Sequence, residues 1–225
     1  MIPDLPDTLY LSLGENCLAD NVLSRHGLKS FSTIYSHGRS NIDYAIHLEY
    51  ENHINLLKDE YLYYDYVGDL RVVRNRYYSV SSDIFSELHR NGFEFTHHDV
   101  LSNVGTRNNM HRKIHRLNYY RGKTNIRFFY HYRVNEDSAL EGICKKAEDF
   151  LRYYEIDGRT CEVVIFTQRI VNRLQERDLE EIRHSNKVRA FVFNTLATWE
   201  SDNQNLFWAI VDDDLIKTMI QRIVQ

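Results

Sequence analysis

A cysteine placed where a buried strand gives way to a helix can serve as a nucleophile, and Ser12-Leu-Gly-Glu-Asn-Cys17 has that form. Gly14 ends the apolar run Thr8–Leu13 and opens a tight turn, and Cys17 follows where helical spacing begins. A helix N-terminus offers partial positive charge and free amides, which lower a thiol pKa and favour the thiolate. Amides of Asn16, Cys17 and Leu18 can also receive the oxyanion of a tetrahedral intermediate. The same pattern describes a small buried residue, since free cysteine is among the most buried types.

Other chemistry-bearing residues are less pointed. His111 and His115 stand one helical turn apart, a spacing that can chelate zinc, but Arg112 and Lys113 occupy the places where a glutamate would help. Arg107, Arg112, Lys113, Arg116, Arg121 and Lys123 would repel a cation, so no metal site is expected. That basic run reads as a solvated helix face or, second, as a phosphate site suited to coenzyme A or another phosphate-bearing donor. No cofactor is required by the pattern. Arg133, at a strand's carboxyl end, can join such a site or simply pair with Glu136 or Asp137. Asp212-Asp-Asp214 reads as a solvated face or a helix break.

The run SLGENCLADNVLSRHGLKSFS resembles the opening motif of the bacterial papain-like cysteine peptidase family of unknown function DUF1796. The likeness covers about residues 8–170 and is specific mainly over the first 25 or so. It implies Cys17 as nucleophile and gives Phe95-Thr-His-His-Asp99 as counterpart of a His-Asp element. His98, oriented by Asp99, is then the expected base. His97 comes second, since neighbours on an extended strand face opposite ways, and His37 in Ser36-His-Gly-Arg39 third. Phe128-Phe-Tyr-His-Tyr-Arg133 matches a family strand ending in Arg. Thr33-Ile-Tyr-Ser-His-Gly-Arg39 departs from the family's Pro-Phe-Asp-Trp-like element. Strand, glycine turn, nucleophile and helix is closer to the elbow of α/β hydrolases and SGNH-type esterases than to papain. Asn16-Cys17 after Gly14 is also loosely similar to the Gly-Asn-Cys turn of polysaccharide-modifying acyltransferase-like proteins.

The elements that must position these residues follow from pattern. Strands are expected at 8–13, 125–131, 162–166 and 188–193, and helices at 17–26, 41–58, 82–89, 107–120, 136–154 and 204–223. Residues 61–67 and 71–75 fit edge strands or an aromatic loop equally. Strands alternating with helices predict a single α/β domain over 1–225, with a mainly parallel sheet flanked by helices in a Rossmann-like or SGNH-like three-layer arrangement. A less regular excursion at about 28–105 would sit at the sheet's carboxyl edge, where open α/β sheets place ligands.

Composition bounds the rest. The 225 residues carry 28 Lys+Arg against 32 Asp+Glu, a formal charge of -4, which gives no support for nucleic-acid binding. No apolar run approaches the roughly 18–20 residues of a membrane span, and the N-terminus lacks a signal peptide's regions. Three scattered cysteines make neither a disulfide framework nor a four-cysteine zinc site, and a cytoplasmic setting is the default. The expectation is therefore a cysteine-dependent hydrolase or acyltransferase acting on an ester, thioester or amide of a small molecule or saccharide, in polysaccharide or natural-product metabolism. The alternative is a non-catalytic module whose helix N-terminus and basic helix hold an anionic ligand.

Overall fold

Leucines at 9, 11 and 13 alternate with Tyr10 and Ser12, so the first strand must place its apolar side against helices. In the computed structural model, which describes residues 6–36, 38–77, 93–133, 137–156, 158–200 and 202–224, this strand is β1 (Thr8–Gly14). The others are β2 (Leu62–Val67), β3 (Leu70–Asn75), β4 (Phe93–Phe95), β5 (Asn125–His131), β6 (Cys161–Ile170), β7 (Asp178–Arg183) and β8 (Val188–Thr195). The helices are α1 (Leu18–Arg25), α2 (Ile42–Tyr50), α3 (Val104–Tyr120), α4 (Asp137–Tyr154), α5 (Gln204–Phe207) and α6 (Asp213–Val224).

Five strands form the main sheet in the order β1-β5-β6-β8-β7. All pairs are parallel except β7 with β8. The expected α/β architecture with a mainly parallel, helix-flanked sheet is present. Strand alternation sorts the core into two layers. Leu9, Leu11, Leu13, Phe128, Tyr130, Val163 and Ile165 pack with α2, α3 and α4. Phe129, Val164, Phe166, Phe191 and Phe193 pack with α1 and α6 on the other face. Each fully buried leucine or phenylalanine contributes about 1.5–3 kcal/mol relative to exposure.

β1 lies at the sheet's edge, and residues 30–36 and 38–40 run along it as a strap. The strap answers backbone groups that an open edge would leave unpaired. Ser30 Oγ accepts from the Tyr10 amide at 2.9 Å, and the Ser30 amide donates to Tyr10 O at 3.1 Å. Thr33 Oγ1 donates to Ser12 O at 3.2 Å, and Ser40 gives both its amide and Oγ to Gly14 O at 3.2 and 3.1 Å. The strap's far side joins a second, antiparallel sheet, β2-β3-β4, through paired bonds between Arg39 and Glu94.

Several expectations shift. Of the residues 61–67 and 71–75, all but Tyr61, which ends a short 3-10 turn, lie in the β2–β3 hairpin, which turns at Gly68, whose φ of 59° suits glycine. The helix expected to reach 58 ends at Tyr50, where Asn52 and His53 take left-handed backbone at φ 53° and 57°. The terminal helix is broken at Ala209, φ 56°, into α5 and α6. Strand β7 was masked by its charged sequence, DLEEIR, which alternates half-buried with exposed positions on an edge. The helix expected at 82–89 lies outside the described residues.

Gly38 lets the strap meet β4 closely, since a Cβ there would stand 2.5 Å from the Phe93 ring. Gly38→Ala should lower stability by about 1–3 kcal/mol, read as a lower urea midpoint at unchanged slope. Adding Phe93→Leu should cost less than the two changes summed. Strict additivity would show that the ring is not what Gly38 accommodates.

Candidate functional site

Gly14, the last residue of β1, pairs in register with His131, the last residue of β5. The turn that follows β1 is therefore built against the carboxyl end of β5. Consecutive side chains interlock there. Glu15 accepts from Tyr130 Oη and, at 3.2 Å, from the Arg133 amide. The Asn16 side-chain amide contacts His131 Nδ1, with Nδ2 at 3.1 Å and Oδ1 at 3.2 Å. Asn16 Oδ1 also accepts from the Leu18 amide at 3.0 Å, which caps α1.

Cys17 takes the N-cap position of α1 with helical backbone, and its thiol is partly buried. The expected activation is not found: burial and the Asp20 carboxylate push the thiol above its ordinary value, and only Arg39 pulls it back. The helix N-terminus helps little because Asp20 sits in the first turn and Asn16 already occupies the Leu18 amide. Of the amides expected to hold an oxyanion, Leu18 is thus taken. Those of Asn16 and Cys17 have no acceptor among the described residues.

Asp20, whose carboxylate acts on the thiol, centres a polar cluster. Asp20, 4 % exposed, accepts from Lys29 Nζ at 2.6 Å and Ser12 Oγ at 3.1 Å, and Ser12 Oγ meets Ser36 Oγ at 2.9 Å. A buried carboxylate needs such partners, since an unpaired one is costly.

His131 is buried, stacked on Phe166 with ring centroids 5.1 Å apart and tilted against Trp199 at 5.7 Å. Burial, with Arg133 adding to it, holds its pKa down to about 3, so the ring is neutral at physiological pH. Glu15 is pushed up to about 7 by burial, against its hydrogen bonds from Tyr130 and Arg133. His131, Arg133, Gln168, Thr198, Trp199 and Glu200 line a cavity of about 150 Å³ at this edge of the sheet.

No family model, curated protein or solved structure matches the chain significantly. The site's chemistry therefore has to be taken from its own groups.

The structure sets Gly14 opposite His131 and joins Asn16, the residue before Cys17, to the His131 ring, and Arg133 lines the cavity that His131 lines. Arg133 has one donor, Nη2, engaged by the exposed Glu200 Oε1 at 2.7 Å. Its proposed partner Glu136 lies outside the described residues. His98 and Asp99 are found elsewhere, after β4, lining a separate cavity of about 350 Å³ with Tyr64, Arg71 and His97. The Asp99 carboxylate is taken by Tyr64 Oη, the amides of Leu101 and Ser102, and Ser102 Oγ, which makes it a turn cap. His37 lies outside the described residues.

His111 and His115 lie on the exposed side of α3. Asp212–Asp214 sits at the helix break expected there, where α6 begins at Asp213, and it is engaged rather than a plain solvated face: Asp212 accepts from Trp199 Nε1 and Arg177, Asp214 pairs with Arg177, and Asp213 with Arg25 and His26. Among the described residues no helix is long and apolar enough to cross a membrane.

Sequence reasoning missed His131 and Arg39. A histidine ending a buried strand is the signal that could have found the first, because strand ends point at the ligand edge of such sheets.

Two measurements follow. In Cys144→Ser/Cys161→Ser protein the alkylation rate of Cys17 should inflect above about 8.5, the ordinary thiol value; an inflection below it would reverse the electrostatic account. For His131, the unfolded chain takes up a proton near pH 6.5 that the native ring accepts only near 3. Stability is therefore lost as pH falls through that window. Relative to His131→Gln, wild type should lose about 1.4 kcal/mol per pH unit there. Parallel urea stability curves between pH 6.5 and 4 would show the ring to be accessible to protons.

Proposed function

We propose that the chain is a cysteine-dependent hydrolase or acyltransferase in which Cys17 attacks an ester, thioester or amide carbonyl, with His131 as the base in place of His98. The single observation behind this is the Asn16 side chain, which binds the His131 ring while the next residue is the thiol. Cysteine, histidine and an orienting amide are the groups that acyl transfer requires. The likeness of residues 8–35 to a cysteine peptidase family points to the same nucleophile.

Asn16 permits two tautomers. If Nδ2 donates to Nδ1, the ring proton sits on Nε2. If Nδ1–H donates to Oδ1, which can accept from Leu18 as well, Nε2 keeps a lone pair. Catalysis uses the second. Thiol and imidazole then rest neutral, and the proton passes to Nε2 as the Sγ–C bond forms. The Asn16 and Cys17 amides meet the developing oxyanion. The protonated imidazole returns its proton to the leaving group, and water or an acceptor hydroxyl releases the acyl group.

The alternative, a non-catalytic module for an anionic ligand, draws on the raised thiol pKa, which leaves little thiolate at rest, and on the His131 pKa of about 3, which makes its imidazolium costly. Acyl trapping separates the two. Incubation with p-nitrophenyl acetate should acetylate Cys17, seen by peptide mass, at a rate lowered about 10²–10⁴-fold in His131→Ala. Asn16→Ala should slow it less. Acetylation that is absent, or indifferent to His131, would leave the binding module as the better account.

A further inference from the structure

The cavity of about 350 Å³ belongs to the small sheet and shares no lining residue with the one at His131. Its size falls in the roughly 300–1,000 Å³ range of small-molecule sites. Strand register builds its wall. Tyr64 pairs with Val73 and Val73 with Phe95, so these three share one face, and Arg71, two residues before Val73, shares it too. Val73 and Phe95 are buried and give the cavity an apolar side. The turn after β4 adds His97 and His98. As strand neighbours they were expected to face opposite ways. Instead β4 ends at Phe95, the His98 amide turns back to Phe95 O at 3.3 Å, and both rings line the cavity.

The Arg71 guanidinium is positioned there without being neutralised. It stacks on the Tyr64 ring, 4.3 Å from the centroid. Tyr64 is itself pinned, since its Oη donates to the Asp99 carboxylate, 3.2 Å from Oδ1 and 3.1 Å from Oδ2. Asp99 is the acid of this cavity, and the Leu101 and Ser102 amides and Ser102 Oγ already donate to it. Among the described residues neither Arg71 nor His97 has a side-chain hydrogen bond or an ion pair. Arg74, which alternation turns to the other face of β3, shows the contrast: Glu94 takes it at 2.8 Å and Asp65 at 3.3 Å. A guanidinium stacked on an aromatic face keeps its N–H edge for another partner.

We infer that this cavity is a binding site for a small phosphate monoester, with Arg71 and His97 as its anion-recognition residues. A guanidinium edge donates to two oxygens at once, and an imidazole in either tautomer has an N–H for a third. A phosphate monoester presents three terminal oxygens and a carboxylate two, so this pair of donors favours phosphate. Leu70, Val73 and Phe95 receive the carbon body of the ester. The repulsion a dianion would meet from Asp99 is offset by the donors that hold that carboxylate. The site uses none of Gly14, Asn16, Cys17 and His131, and it stands whether or not the chain transfers acyl groups.

Phenyl phosphate is the probe, titrated by calorimetry into the full chain at fixed ionic strength, with histidine ring NMR signals as the site-resolved readout. It should bind, shift the His97 and His98 signals, and bind more tightly than inorganic phosphate, which lacks a body, or benzoate, which lacks the third oxygen. Arg71→Gln should weaken it about tenfold or more, and His97→Ala about tenfold. Arg71→Lys should keep part of the affinity. Near-UV circular dichroism establishes that the variants fold. Absence of binding to wild type overturns the inference without any variant, and so does an affinity unmoved by folded Arg71→Gln. Benzoate binding as tightly as phenyl phosphate would refute the phosphate class. Binding lost in Arg112→Gln/Arg116→Gln but kept in Arg71→Gln would put the anion on α3 instead. A phosphotyrosine peptide that outcompetes phenyl phosphate would replace the small ligand with a protein partner.

Discussion

Backbone amides and carbonyls on the open side of β1 must find partners, and the segment that supplies them determines most of what surrounds Cys17. Ser30, Thr33 and Ser40 answer Tyr10, Ser12 and Gly14 in turn. An edge strand satisfied in this way is closed to pairing with another chain, and its carboxyl end is held still. Because the strap is anchored at Gly14 O, Arg39 is held beside the turn that leads to Cys17. Because the next contact of Arg39 is Glu94, the small sheet is joined to the large one at the same place. Ser30, Thr33, Arg39 and Ser40 thus link edge protection, the second sheet and the electrostatics of the thiol.

Burial sets the charge state of the site more than helix geometry does. A helix N-terminus contributes about 0.3–1 kcal/mol when exposed, and here its first turn carries Asp20. Desolvation acts in one direction for every group: it favours neutral Cys17, neutral His131 and protonated Glu15. The result is a set of groups with little net charge below neutral pH. Glu15 has the opposite sign of linkage from His131. Its native pKa of about 7 exceeds its ordinary 4.5, so its contribution to stability declines as pH rises through that interval. The two opposing slopes overlap between pH 4.5 and 6.5.

Much of the fold was legible because it is written in period. Leu9, Leu11 and Leu13, or Val163 with Ile165 against Val164 with Phe166, alternate as buried strands must, and the helices between them fix a parallel sheet. Cys17 at the β1–α1 junction was legible for the same reason. His98 and Asp99 looked like a base and its orienter, yet an aspartate followed by Leu101 and Ser102 is also an Asx turn, and local sequence does not choose between them. His131 was read as one more strand residue. Its role depends on register with β1, a contact more than a hundred residues away that no window of the chain contains. Arg39 was passed over likewise, since its partner Glu94 lies in the second sheet, far along the chain.

Register is what makes the site specific. Successive β5 residues face opposite ways, so Tyr130 points to the α2–α4 layer and His131 to the α1–α6 layer. The turn after β1 alternates in step: Glu15 is received by Tyr130 and Asn16 by His131. A slip of one residue between β1 and β5 would exchange the two partners. A phenol would then face Asn16, and an imidazole would face a buried acid. Leu9, Leu11 and Leu13 forbid that slip, because it would also break their match with Ile126, Phe128 and Tyr130 on the helix-covered face. The hydrophobic pattern of an edge strand thereby decides that the imidazole, and not the phenol, meets Asn16 in the cysteine turn.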